Sequence, residues 1–155
     1  VIERRVFLKG LGAAALAVVL VRPAAAIVLD DLSIALEMAF EYVKKGFVVR
    51  EENWHGKLSV GKKTAVKHQL FKGNEYWFWA GSTTKDVKLR VKIYDKKGRP
   101  TDVETKVTDK GAAARILAPK TGTYYIVIEA QPADPKKKKK FKRNAVEWAM
   151  AYGFR

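Results

Sequence analysis

The apolar and polar positions of the chain follow a helical period first and a strand period later. Between residues 31 and 45 the apolar side chains recur at helical spacing, at Leu32, Leu36, Ala39, Phe40 and Val43. Asp30 or Asp31 stands where a helix cap is expected, and Lys44-Lys45-Gly46 places cations and a glycine stop at the other end. The pattern predicts one amphipathic helix of about 15 residues.

Beyond the helix, apolar positions alternate with polar ones, which is typical of half-buried β-strands. The three clearest inward-facing sets are Val66, His68 and Leu70; Tyr76, Phe78 and Ala80; and Leu89, Val91 and Ile93. Further strands are predicted at 102–107, 112–118, 123–130 and 144–154, separated by turn-forming Gly, Asn, Asp and Pro residues. Seven or eight short strands, about ten residues apart, favour a mainly β, antiparallel sandwich.

Residues 1–26 have the pattern of an export signal. Arg4-Arg5 is followed by Val6-Phe7-Leu8-Lys9, and an apolar stretch at 11–21 leads to small residues that end at Ala26. The paired arginines resemble the twin-arginine export motif, which a receptor reads. The apolar stretch is about 11 residues long and about 20 are needed to cross a bilayer, so we expect cleavage after Ala26 and no stable transmembrane anchor. An uncleaved anchor is the alternative.

Composition favours one small, basic, folded domain after this leader. The chain has 155 residues, 48% of them hydrophobic, and no cysteine, which excludes disulfides and cysteine-bound zinc. Its net charge is +15, and loss of four cations and one acidic residue with the leader leaves +12, a charge that attracts polyanions. We expect a signal peptide at 1–26, a helix and linker at 27–50, and the sandwich at 51–155.

Three parts of the chain, the second made of two short runs, resemble one domain family in order and spacing. They are Leu70-Phe71-Lys72-Gly73-Asn74-Glu75-Tyr76-Trp77-Phe78-Trp79-Ala80, the pair Asp86-Val87-Lys88-Leu89 and Ile93-Tyr94-Asp95-Lys96-Lys97-Gly98, and Ala118-Pro119-Lys120-Thr121-Gly122-Thr123-Tyr124-Tyr125-Ile126-Val127-Ile128. This pattern, over about 57–154, is similar to the bacterial pre-peptidase C-terminal (PPC) domain. The resemblance implies an eight-stranded jelly-roll sandwich that serves exported enzymes by binding or processing rather than by catalysis.

Two glycines in these segments have expected structural roles. Gly98 should end a tight turn in which Asp95 accepts hydrogen bonds from the following amides, and Gly122 should have a positive φ. Some relatives in the resembling family bind calcium through acidic residues. Asp86 and Asp95 have no acidic cluster around them, so we predict no metal site.

The chain offers few residues for catalysis. Of its two histidines, His55 is expected in a loop before the first strand, and His68 on the apolar side of a strand as an ordinary core or edge residue. Neither has a local nucleophile and orienting acid, and the sequence contains no phosphate-binding glycine loop and no nucleophile elbow. We therefore predict no catalytic residues, no cofactor and no enzyme activity.

The first candidate binding segment is a run of basic residues. Seven of the eight positions 136–143 are basic, namely Lys136, Lys137, Lys138, Lys139, Lys140, Lys142 and Arg143. Because like charges at this density repel, we predict an extended, solvated loop between the last two strands. Two interpretations stay open: electrostatic contact with a polyanion, which weakens as salt rises, or a loop that only maintains solubility.

The second candidate is the sheet face that points away from the core. It would combine Trp77 and Trp79 on one strand with cations on another, Lys88, Arg90 and Lys92. Aromatic rings among cations suit stacking on sugars or bases. The alternative, favoured by the aggregation hazard of exposed indoles, is that the helix covers both tryptophans with Leu36, Phe40 and Val43.

Export and charge together define the functional hypothesis. An exported basic domain is expected to meet anionic polymers or polysaccharides of the cell envelope, and nucleic acid is not the expected partner. We predict a non-catalytic binding module, periplasmic or extracellular, with the lysine run as its primary contact. The alternative is a protein-interaction or stabilising accessory domain of an exported enzyme.

Overall fold

The structure is a computed structural model that describes residues 30–101, 103–137 and 145–155. Within these residues one helix, α1 (residues 30–43), precedes eight strands. The strands are β1 (Val48–Ser59), β2 (Lys63–Leu70), β3 (Glu75–Gly81), β4 (Val87–Tyr94), β5 (Glu104–Val107), β6 (Gly111–Leu117), β7 (Gly122–Pro132) and β8 (Ala145–Phe154). They form two antiparallel sheets, a five-stranded one in the order β1-β8-β3-β6-β5 and a three-stranded one in the order β2-β7-β4.

The strand order is that of a jelly roll with one difference. An eight-stranded jelly roll places strands 1-8-3-6 in one sheet and 2-7-4-5 in the other. Here β5 hydrogen-bonds to β6 and so belongs to the larger sheet. The predicted mainly β, jelly-roll sandwich preceded by one helix is confirmed, with β5 on the other sheet.

Two apolar layers hold the sandwich and the helix together. The larger lies between the sheets, around side chains such as Phe78, Ile126 and Met150. The smaller lies between the five-stranded sheet and α1, around Trp77 and Trp79. The central strands of the larger sheet are therefore covered on both faces, and they lack the regular alternation of a half-buried strand.

The helix packs with a different face from the one predicted. Ala35, Ala39 and Tyr42 are buried against the sheet. By contrast, the side chains expected to cover the tryptophans are 42%, 65% and 50% exposed, at Leu36, Phe40 and Val43. That part of the prediction is wrong because the two indoles already fill the space between α1 and the five-stranded sheet. Small alanine side chains on the inner side of α1 allow the helix to lie close to the sheet.

Close contacts with the sheet fix where the helix lies. A Cβ atom at Gly81 in β3 would stand 2.6 Å from the backbone oxygen of Asp31 and 2.8 Å from the Cβ of Ile34. The buried carboxylate of Asp31 accepts a hydrogen bond from the Thr83 amide at 2.6 Å, which ties the start of the helix to the loop after β3. The helix ends at residue 43, and the turn after it closes at the predicted glycine stop, Gly46, with a φ of 94°.

Strand β1 is the element that the pattern did not show. It begins at Val48, slightly before the predicted boundary at residue 51, and its pairing with β8 shifts between Val49 and Asn53. This β-bulge holds consecutive polar residues, which interrupt the alternation. His55 lies in β1 and not in a loop, so that expectation is wrong.

The two glycines with predicted turn roles behave differently. Gly98 has a φ of 76°, and the Asp95 carboxylate accepts hydrogen bonds from the amides of Lys97 and Arg99 at 2.9 Å each, as expected. Gly122 is paired with Leu70 in β7 and is not among the described glycines with positive φ. The prediction for Gly122 is therefore wrong, since the chain is already extended there.

Candidate binding surface

The combined aromatic and basic face does not form. Trp77 and Trp79 lie on β3, whose neighbours are β6 and β8. Lys88, Arg90 and Lys92 lie on β4, which belongs to the other sheet. The two tryptophans are 4% and 0% exposed beneath α1, which excludes them as a stacking platform in this structure.

Small neighbours explain how two indoles fit side by side under a helix. Trp79 pairs with Ala113 on one side and Ala151 on the other. The ring of Tyr42 lies 4.6 Å from that of Trp77 and 5.7 Å from that of Trp79. The Trp79 indole nitrogen has no hydrogen-bond partner among the described residues, which marks this layer as an apolar packing site.

The cations of β4 instead belong to a different surface, which we call the basic face. It is the outward side of the three-stranded sheet, where alternate residues of β2, β7 and β4 point away from the core. Its cations are exposed, namely Lys63, Lys67, Lys88, Arg90 and Lys92. Lys63 and Lys67 were not singled out from the sequence, because their alternation gave no sign that β7 brings β2 and β4 into one sheet.

The strand register shows what lies between these cations. Glu129 of β7 stands between Lys63 and Arg90, and it is the single carboxylate that the described strands place on this face. Two rows further, beyond Val127, Tyr125 lies between Lys67 and Tyr94. The basic face is thus a flat sheet surface with five cations at its edges, one acid and two half-buried tyrosines.

A turn at one end of the sheet extends the basic face. Lys96, Lys97, Arg99 and Lys120 border a depression of about 250 Å³ where β4 ends and β7 begins. The carboxylate of Asp95 in this turn is occupied by the backbone and side chain of Arg99 and by the Lys97 amide. Those hydrogen bonds hold the pKa of Asp95 below its usual value, so the carboxylate stays ionised and serves the turn.

The lysine run begins at the opposite end of the same sheet. The amide of Ala133, just after β7, donates to the carbonyl of Asp86, just before β4. Residues 135–137 form a single helical turn, and Lys136 and Lys137 are exposed. The remaining predicted loop residues lie outside the described part of the chain, namely Lys138, Lys139, Lys140, Lys142 and Arg143.

The histidines and carboxylates of the described residues form no metal-binding cluster. Neither His55 nor His68 is hydrogen-bonded there to a hydroxyl or a carboxylate. No group of three or more His, Asp or Glu side chains in 30–101, 103–137 and 145–155 is placed to hold a metal ion. In the same ranges no helix has the length and hydrophobicity needed to span a membrane. The leader lies outside the described residues.

Comparison with known proteins gives a distant structural likeness and no match in sequence. No protein-family model matches the chain, and no curated protein matches it. Among solved structures, the chain is similar to PliG from Aeromonas hydrophila, a periplasmic inhibitor of g-type lysozyme, with a TM-score of 0.48 and 12% sequence identity. The likeness covers 72% of this chain and 90% of that chain. The fold assignment therefore rests on the strand order of this chain.

Proposed function

We propose that the protein is an exported, non-catalytic binding module that holds an anionic polymer or polysaccharide of the cell envelope on its basic face. One observation carries this proposal: the outward side of the three-stranded sheet has five exposed cations and a single carboxylate. Lys136 and Lys137, the described start of the lysine run, add charge at the end of the sheet where β7 stops.

The spacing of the cations suits a chain of negative charges. Alternate residues along a strand stand about 6.6 Å apart and neighbouring strands about 4.8 Å apart, so Lys88, Arg90 and Lys92 form a row of positive charge. A polyanion lying along such a row releases its bound counterions, which makes the affinity fall steeply with salt. Tyr94 and Tyr125 add apolar ring surface among the cations, which suits contact with sugar rings.

The proposal that the ligand belongs to the cell envelope rests on the twin-arginine leader and on the resemblance to PPC domains. A leader of this type sends the protein out of the cytoplasm, where nucleic acid is the dominant polyanion. The anionic polymers that an exported domain meets are those of the envelope. The PPC resemblance adds a family whose members accompany exported enzymes by binding.

Removal of the β4 row tests the proposal. We expect the triple variant Lys88→Gln, Arg90→Gln and Lys92→Gln to elute from heparin and lipopolysaccharide resins at lower salt than the wild type. The slope of log affinity against log salt should decrease by roughly 2 to 3, because about one counterion is released per lost contact. Affinity is measured by titration at several salt concentrations.

The matched control loses the same charge elsewhere. Lys44→Gln, Lys57→Gln and Lys110→Gln remove three cations from the helix end, from β1 and from the turn before β6. If both triple variants weaken binding equally, net charge alone attracts the polymer and the basic face is not a site.

A protein-interaction role is the second candidate, and the helix favours it. Leu36, Phe40 and Val43 form an exposed apolar stripe on α1, on the far side of the molecule from the basic face. A stripe of this kind fits an apolar surface of an exported partner protein. Such a complex would survive the high salt that dissociates a polyanion.

A further inference from the structure

The sandwich is open along the side where its edge strands β1 and β2 face each other. Each is the outermost strand of its sheet, and no ladder joins them. The bulge in β1 moves Arg50 and its neighbours out of register with β8 at this opening. A cleft of about 350 Å³ lies here, which we call the aromatic cleft. The residues that line it include Arg50, His68, Gln69, Phe71, Asn74 and Tyr152.

Aromatic rings form the walls of this cleft. The ring of His68 lies 4.7 Å from that of Tyr152 and 5.2 Å from that of Trp54. Phe71 stands at the rim and is 53% exposed. Its amide donates to the Tyr76 hydroxyl at 2.9 Å, which holds the rim in place. An exposed phenylalanine beside packed rings offers a flat apolar surface to a ligand.

Polar groups are placed around the same rings. The guanidinium of Arg50 lies 5.9 Å from the Phe154 ring, at the edge of the cleft. Gln69 and Asn74 carry amides that can both donate and accept. The imidazole of His68 makes no hydrogen bond to any described residue. Apolar walls with a few convergent polar groups are typical of small-ligand sites.

A carboxylate near the cleft is already paired. Glu52 accepts a hydrogen bond from the Tyr152 hydroxyl at 3.5 Å and lines the neighbouring depression formed by the bulge. Arg50 is the cation that borders both spaces. Glu52 also acts electrostatically on His68, so it lies beside the cleft, and Arg50 is the cation there that an anionic group of a ligand would meet.

We propose that the aromatic cleft binds a single pyranose ring that carries a carboxylate, such as the uronate at the end of a glycan. The apolar face of the ring packs on the exposed side chain of Phe71, the carboxylate pairs with Arg50, and the ring hydroxyls bond to Asn74 and His68. A purely apolar guest would leave the His68 imidazole without a hydrogen-bond partner. None of the five cations of the basic face lines the cleft, so the site does not depend on them.

Titration with monosaccharides tests this site. Glucuronic acid, glucose and cyclohexanecarboxylic acid are added to the full chain, and binding is followed by tryptophan fluorescence and by amide chemical shifts. We expect glucuronic acid to bind with a Kd on the order of 1 mM, as its size allows, and at least about fivefold tighter than either of the others. Equal binding of glucose, tighter binding of cyclohexanecarboxylic acid or no saturable binding at all would overturn the proposal.

Exposed residues allow variants that keep the fold. Arg50→Gln should abolish the preference for glucuronic acid over glucose, because it removes the cation that pairs with the carboxylate, and Phe71→Ala should weaken both at least about fivefold, because it removes the apolar surface under the ring. Lys57→Gln and Phe40→Ala are the matched controls and should bind as the wild type does. The basic-face triple variant should also bind glucuronic acid normally, which separates failure of this site from failure of the polymer-binding proposal.

Discussion

At the residue scale, whether an apolar side chain is buried depends on the space that the neighbouring side chains leave. Trp77 and Trp79 were correctly recognised as pointing away from the inter-sheet core, and cover by the helix was the favoured outcome. The helical positions that provide this cover could not be predicted. Helical spacing fits Leu36 and Phe40 as well as Ala35 and Ala39. Only the volume of the indoles, which lie between small residues on β6 and β8, favours the alanines.

His68 provides a prediction at this scale. Burial among aromatic rings lowers the pKa of His68 below its ordinary value of 6.5, and the Glu52 carboxylate opposes the shift. The unfolded chain then binds more protons than the folded one once the pH falls below about 6.5, so the stability should decrease from about pH 7 to pH 5. His68→Gln should flatten this dependence, as measured by urea unfolding at each pH.

The control for that experiment is His55→Gln, because His55 is exposed on β1 and lies outside the aromatic cleft. It should keep the wild-type decrease. An unchanged pH dependence in the His68 variant would show that the decrease comes from other groups.

At the element scale, strands with one buried face were predicted well. The bulged strand β1 and the pairing of strands far apart in sequence were not. β2 and β4 alternate cleanly, and their inward residues were identified except for Thr64 and Val87 near the starts of the two strands. β1 was missed because its bulge places polar residues in succession at 50–53. The basic face was only half identified, since the pairing of β2 and β4 with β7 connects residues far apart in sequence.

The docking of α1 on β3 gives a prediction for this scale. Gly81→Ala should destabilise the protein by about 1 to 3 kcal/mol, because the new methyl group would overlap with the backbone of Asp31 and the side chain of Ile34. The free energy of unfolding in urea measures the effect, and tryptophan fluorescence should report looser cover of the indoles.

Gly122→Ala in β7 is a matched strand glycine with no heavy atom within 4 Å of the added Cβ. It should leave the stability unchanged or slightly higher, since alanine restricts the unfolded chain. Equal stability of the two variants would contradict the close packing of the helix.

At the scale of the whole molecule, charge is distributed unevenly between two sides. The helix side carries Asp30, Asp31, Glu37 and Glu41 together with the cations Lys44, Lys45 and Lys106, whereas the basic face on the opposite side has five cations and one carboxylate. The net charge of the chain could be counted from the sequence, but its separation into sides could not. That separation follows from which strands share a sheet.

The lysine run provides the prediction for this scale. Because the run starts beside the first residues of β4, it should extend the positive potential of the basic face. Replacement of Lys136 to Lys140 by serine should lower the salt concentration of elution from heparin, and the loss should add to that of the β4 triple variant. Retention that does not change would restrict the run to a solubilising role.

The position of β8 has a consequence for the order of events during synthesis. Residues 145–154 pair with both β1 and β3, so the last strand occupies the second place in the larger sheet. Until these residues have left the ribosome, β1 has no neighbour in its sheet and the interior beneath it stays exposed. The fold therefore completes only after translation has passed residue 154, which leaves the growing chain dependent on protection from aggregation until then.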